Sequence, residues 1–203
     1  MKMKSKKKVF LTVLCAVALV VASVLGTMAY LTSQTGTVNN TFTVGKVQIT
    51  LDEAKVDTAG TPVSPAERID NNQYKLIPGH TYIKDPTVHV DKDSEESYLF
   101  VKVENSIAGL EAADTDESKT SIAAQMKANG WELVADQTNV YYYKTTVKAN
   151  DNIKVFESFT LADDANVASV TNNDAIKITA YAVQADGFNA AAEAWAAAPT
   201  NWQ

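Results

Sequence analysis

From residue 41 onward the sequence breaks into short runs with an apolar residue at every second position, and this limits the possible folds more than any other feature. In residues 41–51, Val47, Ile49 and Leu51 fall on one side of an extended chain, with Lys46, Gln48 and Thr50 on the other. A period of two is the spacing of a strand with one buried face. Phe42 and Val44 belong to the opposite phase, and Gly45 stands where the phase changes, which predicts a bulge at the glycine. Leu99, Val101 and Val103 repeat the alternation in residues 98–104. Residues 81–84, 87–90, 131–134, 140–147, 153–161 and 175–183 read as further strands.

The punctuation between these runs agrees with that reading. Residues 57–72 are polar and contain Pro62 and Pro65, the composition of a surface loop. Pro78-Gly79 and the charged hexamer Asp91-Lys92-Asp93-Ser94-Glu95-Glu96 are turn signals. One helix is predicted over residues 118–129: β-branched residues are few, Ile122 and Met126 lie four apart, and Gly130 follows as a stop. A second, alanine-rich helix carrying Trp195 is predicted over residues 189–198. Seven or eight short strands, with turns about every ten residues, favour an all-β antiparallel sandwich with one or two short helices.

The first 29 residues follow a different logic. Lys2, Lys4, Lys6, Lys7 and Lys8 precede 17 uncharged residues, 9–25, and Thr27 and Ala29 are the small residues a signal peptidase reads. Basic, apolar and small in that order describe a secretory signal, so cleavage between Ala29 and Tyr30 is expected. A retained anchor is the competing reading, because a run of that length just reaches across a bilayer. The 174 residues left carry a net charge of −11, since the leader removes five of 18 basic residues and none of 24 acidic ones. That balance disfavours nucleic acid as a partner. Cys15 is the single cysteine and lies in the leader, so the mature chain is expected to hold no disulfide, thiolate metal site or thiol nucleophile. No second long apolar run follows, so no membrane contact is expected after cleavage.

Motifs for catalysis are sparse. His80, beside the Pro-Gly turn, and His89, between Val88 and Val90, are the only histidines, and no H-E-x-x-H accompanies them. They are weak zinc candidates that need a third ligand, and otherwise read as a turn histidine and a solvent-facing strand histidine. The carboxylates of residues 91–96 lack the sixth-position glycine of an EF-hand, where Glu96 stands. Glu111, Asp114, Asp116 and Glu117 read as a solvated acidic stretch in the same way. There is no G-x-S-x-G elbow, and the seven glycines after residue 29 form no phosphate loop. Tyr141, Tyr142 and Tyr143 do not form one stacking platform, since on a strand the middle ring points away from its neighbours. No catalytic residue and no cofactor is therefore expected. What remains is interaction chemistry: residues 32–40 are uncharged and proline-free, able either to pair with an open sheet edge or to trail as a leader.

Three segments together resemble the TasA/camelysin (CalY) family of exported proteins of Gram-positive bacteria. Gly26-Thr27-Met28-Ala29-Tyr30-Leu31-Thr32-Ser33 with Asn40-Thr41-Phe42-Thr43-Val44-Gly45-Lys46-Val47 is similar to the family's start. Leu76-Ile77-Pro78-Gly79-His80 through Lys84-Asp85-Pro86 to Tyr98-Leu99-Phe100-Val101-Lys102-Val103 is similar to its turn and next strand. Ile176-Lys177-Ile178-Thr179-Ala180-Tyr181-Ala182-Val183-Gln184 is similar to its last strand. The resemblance implies a jelly-roll-like sandwich over residues 41–203, secretion after removal of residues 1–29 by the peptidase SipW, and polymerisation into cell-surface or biofilm matrix fibres. It also implies that residues 30–40, with Leu31, Thr32, Ser33 and Val38, act as a strand donated to the next copy of a homopolymer, with an accessory matrix protein as a possible partner. The camelysin side of the family carries a metalloprotease label, which two histidines without H-E-x-x-H support little. A monomeric surface adhesin is the other competing reading.

Overall fold

The computed structural model describes residues 45–115, 120–171 and 174–198. The chain there is mostly β, with antiparallel sheets and two short helices. One four-stranded sheet has the order β2-β1-β4-β8, from β1 (Ile49–Ala54), β2 (Arg68–Ile69), β4 (Thr87–Val90) and β8 (Asn152–Lys154). A second has the order β10-β5-β7-β6, from β5 (Ser97–Asn105), β6 (Trp131–Leu133), β7 (Val140–Tyr143) and β10 (Ile176–Gln184). β3 (Thr81–Ile83) and β9 (Ser158–Thr160) form a two-stranded ribbon.

Side-chain alternation places the core. Val88 and Val90 of β4 meet Leu99, Val101 and Val103 of β5 in one buried cluster, together with Tyr82, Trp131, Phe156 and Phe159. The even residues of β5 point the other way. Phe100 packs there with Val140 and Ala194, and the ring of Trp195 lies 5.4 Å from it. The β10-β5-β7-β6 sheet is therefore covered on one face by the main cluster and on the other around Phe100, while Glu104, Lys177 and Thr179 leave the rest of that second face exposed. Tyr141 and Tyr143 pack on the first cluster and Tyr142 on the second, as the period of two requires.

The helices are shorter than the sequence suggests. α1 (Ile122–Ala128) starts where the Ser121 hydroxyl accepts the Ala124 N–H at 3.2 Å, and Gly130 follows it with φ +92°. Ser118 lies outside the described residues. α2 (Ala191–Ala196) presents Ala194 and Trp195 to the second cluster.

Several readings need correction, among them the strand expected over residues 140–147, which ends at Tyr143. The strand expected over residues 41–51 runs instead over Ile49–Ala54; Phe42 and Val44 lie outside the described residues, and Gly45 stands before the strand. Residues 57–72, read as loop, hold the two-residue β2. Residues 153–161, read as one strand, are β8 and β9, which belong to different sheets. Gln125 explains the break: its side-chain carbonyl accepts the Glu157 N–H at 2.9 Å and the Ser158 N–H at 3.1 Å, so the chain leaves one sheet and is caught by α1 before joining the next.

Candidate functional site

β10 is an outer strand, and its hydrogen-bonding parity defines the site. Ser106 N–H donates to Ala175 O at 3.1 Å and Ala185 N–H donates to Glu96 O at 2.8 Å, at the two ends of the β10–β5 ladder. Odd-numbered residues between them therefore turn their backbone groups toward β5. Ile176, Ile178, Ala180 and Ala182 turn theirs outward. Among the described residues no strand pairs with that outer side. The side chains of the same four residues pack on the main cluster, so the strand is held from below while its edge is unpaired among the described residues. A proline-free edge with a single lysine, Lys177, has few of the devices that normally discourage pairing.

β1 faces the same opening. Asp91 N–H donates to Gln48 O at 2.9 Å, so the even residues of β1 bond β4, while Ile49 and Leu51 turn their backbone groups away from it. β2 covers β1 only at Glu53 and Ala54. The turn at 91–96 ties the two open edges at one end, through Glu95 N–H to Lys46 O at 2.9 Å and through the Ala185–Glu96 bond. At the other end lies a groove of about 990 Å³ between Leu51, Glu53, Ile176 and Ile178, floored by Tyr74, Leu76 and Phe159. The shape is a wedge, closed at the turn and open beside Ile176.

The polar groups of the groove are anchored. Lys84 Nζ lies 2.6 Å from Glu53 Oε2, and the two side chains are only 10% and 5% exposed. Burial and the Glu53 charge both push the Tyr74 phenol well above its ordinary pKa, and its hydroxyl donates to Ile83 O at 3.0 Å. No buried side-chain nitrogen or oxygen among the described residues lacks a hydrogen-bond partner.

On the rim, Arg68 bonds Asp52 and reaches Asp85 Oδ2 at 3.1 Å, while His89 Nε2 lies 2.8 Å from Asp52 Oδ1. Burial pushes the Asp52 carboxyl up, but the bonds from Arg68 and His89 outweigh it and hold the group below the ordinary aspartate range. A carboxyl with a depressed folded pKa stabilises the fold above its unfolded value and loses that contribution as pH falls through the folded one. Asp52→Asn is therefore expected to cost about 1 kcal/mol at pH 7, a figure discounted for solvent screening. The difference from the parent should shrink below about pH 4 as the parent itself protonates. Urea unfolding midpoints at pH 7 and pH 3 check this; an equal difference at both would remove the electrostatic account.

The sequence-predicted residues fare unevenly. Ala29, Tyr30, Leu31, Thr32, Ser33 and Val38 lie outside the described residues. The two histidines have separate partners: His80 Nε2 lies 3.0 Å from Ala59 O with its ring against Tyr82, and His89 bonds Asp52 and Asn152. His89 is thus held by side chains rather than free in solvent. Among the described residues no group of three His, Cys, Asp or Glu is placed to hold a metal ion. Glu111 and Asp114 serve α1: Glu111 accepts the Ile122 N–H at 3.1 Å and Asp114 the Ser121 N–H at 2.9 Å, and burial raises the Glu111 carboxyl. Asp116 and Glu117 lie outside the described residues.

One feature of the site escapes sequence reasoning. The open edge of β10 depends on strand order, which no local pattern encodes. Glu53 did leave a signal, since it continues the inward series Val47, Ile49, Leu51. A glutamate at an inward position demands a partner. No family model, curated protein or solved structure matches this chain.

Proposed function

We propose that this chain is a secreted structural subunit that polymerises into cell-surface or biofilm matrix fibres, a member of the TasA/camelysin group with a jelly-roll-like sandwich. In this reading residues 30–40 of one copy, released when the leader is cut at Ala29, add as a strand to β10 of the next. The observation that carries it is the nine-residue β10, whose outer side has no strand partner among the described residues. Residues 31–39 match it in length and carry no charge. Backbone pairing supplies the affinity and side-chain pockets the register. Leu31 and Val38 have opposite parity, so only one of them faces the core in any register. Main-chain bonds therefore carry most of the contact. A head-to-tail contact of this kind does not close on itself, and it builds filaments. β1 and β10 approach within 8 Å, narrower than the roughly 9.6 Å that two strands flanking a third need. The added strand accordingly enters at the open end of the wedge, beside Ile176 and Ile178, and pairs along β10 as far as Ala180.

Two proteins test this, one beginning at Tyr30 and one at Asn40, followed by light scattering and electron microscopy. Fibres are expected from the first alone. Fibres from both would keep the polymer and discard residues 30–39 as the donor. Monomers from both would overturn the polymer and favour a surface binding module.

A further inference from the structure

Three side chains at the base of the groove form an arrangement with chemistry of its own. Lys84 Nζ donates to Glu53 Oε2 at 2.6 Å, and Asn72 Nδ2 donates to the other oxygen of the same carboxylate, Oε1, at 3.0 Å. Asn72 Nδ2 also donates to Ala54 O at 2.8 Å, and Asn72 Oδ1 accepts the Val56 N–H at 2.9 Å. A primary amine and a carboxamide are thus held on the two oxygens of one buried carboxylate. The carbonyl of the carboxamide is polarised by a backbone donor. Tyr74 packs edge-on against Phe159, with ring centroids 5.2 Å apart, and screens the base of the groove.

We propose that Lys84 and Asn72 join through a self-formed amide cross-link, with Glu53 as the proton carrier. The Lys84 ammonium passes a proton to the Glu53 carboxylate, leaving two neutral groups in a site that disfavours charge. The free Nζ lone pair attacks Cγ of Asn72, forming the C–N bond. The carbonyl electrons move onto Oδ1, where the Val56 N–H lies in the position of an oxyanion donor. Glu53 returns its proton to Nδ2, the Cγ–Nδ2 bond breaks, and the carbonyl re-forms. The second proton lost from Nζ leaves with the departing nitrogen, so the product is ammonium and Glu53 ends as a carboxylate. Nothing is oxidised or reduced, and no co-reactant is needed. Holding both partners on one carboxylate supplies the proximity that makes an amide a usable electrophile for an amine. The product closes residues 72–84 into a covalent ring that contains the Pro78-Gly79 turn and one wall of the groove. The cross-link is independent of the fibre reading.

The test is the intact mass of the purified full chain under denaturing conditions, followed by peptide fragmentation. The expected result is a mass about 17 Da below that of the unmodified polypeptide, the loss of one ammonia. Fragmentation should then yield a branched peptide joining Lys84 to Asn72. Lys84→Arg, which keeps a cation beside Glu53, is expected to restore the full mass, as are Asn72→Ala and Glu53→Ala. A parent chain of full mass overturns the proposal even if every variant misfolds. So does a deficit that persists in Lys84→Arg, or one that maps elsewhere, such as cyclisation at Asn129-Gly130.

Discussion

Proline at position 180 is expected to abolish fibre assembly while the subunit stays folded. Ala180 is an even residue of β10, so its N–H points to the open side and takes no part in the ladder with β5. Proline is tolerated on an edge strand when its missing N–H would have faced outward. There it removes the donor that an incoming strand needs, and its ring occupies the pairing surface. The residue before it, Thr179, is pushed toward extended geometry, which it already has. Thr179→Pro is the control, because Thr179 pairs with Lys102 and directs its N–H at β5. Losing that bond strands a carbonyl within the sheet and should cost at least about 2 kcal/mol. Circular dichroism melting separates the two variants by stability, and electron microscopy by assembly. Fibres from a folded Ala180→Pro chain would show that the β10 edge is not the acceptor.

Tyr82→Ala is expected to lower stability by about 4 kcal/mol, the scale of emptying a fully buried aromatic site. Tyr82 is 0% exposed and stacks on Phe159 with centroids 4.9 Å apart, while Tyr74 meets it edge-on at 5.7 Å. Its hydroxyl accepts the Ile77 N–H at 2.7 Å and donates to Lys75 O at 2.7 Å, fixing the stretch that leads into Pro78-Gly79. Burial raises its phenol, so the group stays neutral and able to donate throughout the neutral range. Tyr82→Phe keeps the ring and strips both bonds, for an expected cost of about 1–3 kcal/mol. Urea unfolding gives the two values, and amide exchange at Ile77 reads the released loop. An unaltered Ile77 amide in Tyr82→Phe would mean that the loop is held by other contacts. The backbone near Tyr82 is equally close-packed: a Cβ on Gly60, whose φ is +79°, would come within 2.8 Å of Tyr82 Cα.

Most of the strands were legible because alternation is a local property. β4 and β5 match their expected spans to within a residue or so, and Leu99, Val101 and Val103 share a face as read. What local pattern does not carry is which sheet a strand joins. β7 ends at Tyr143, short of the run to Val147, where its partner β6 gives out: Lys144 N–H to Gly130 O at 3.0 Å is the last rung of that pairing. Val147 then bridges to Ser97 alone. Residues 153–161 keep a strand-like composition through the point where Gln125 divides them. The candidate site was legible in part. Glu53 is marked as an anomaly by its parity, but Lys84 and Asn72 are brought to it by chain crossings 31 and 19 residues away in sequence. The acidic stretch at Glu111 and Asp114 looked like a solvated loop and instead caps a helix, because a cap is defined by the backbone it meets.

The tie between the 91–96 turn and both open edges has a mechanical consequence. In a filament joined through β10, tension enters a subunit along that strand and leaves toward residue 45 through the start of β1. The two ends of this path meet at the turn, where Glu96 accepts from Ala185 and Glu95 donates to Lys46. Load would therefore pass from one copy to the next through a few residues at the narrow end of the wedge, leaving most of the barrel of side chains between the sheets unstressed. Such a thread would stretch little under load, and the two bonds at the turn are where a subunit would give first.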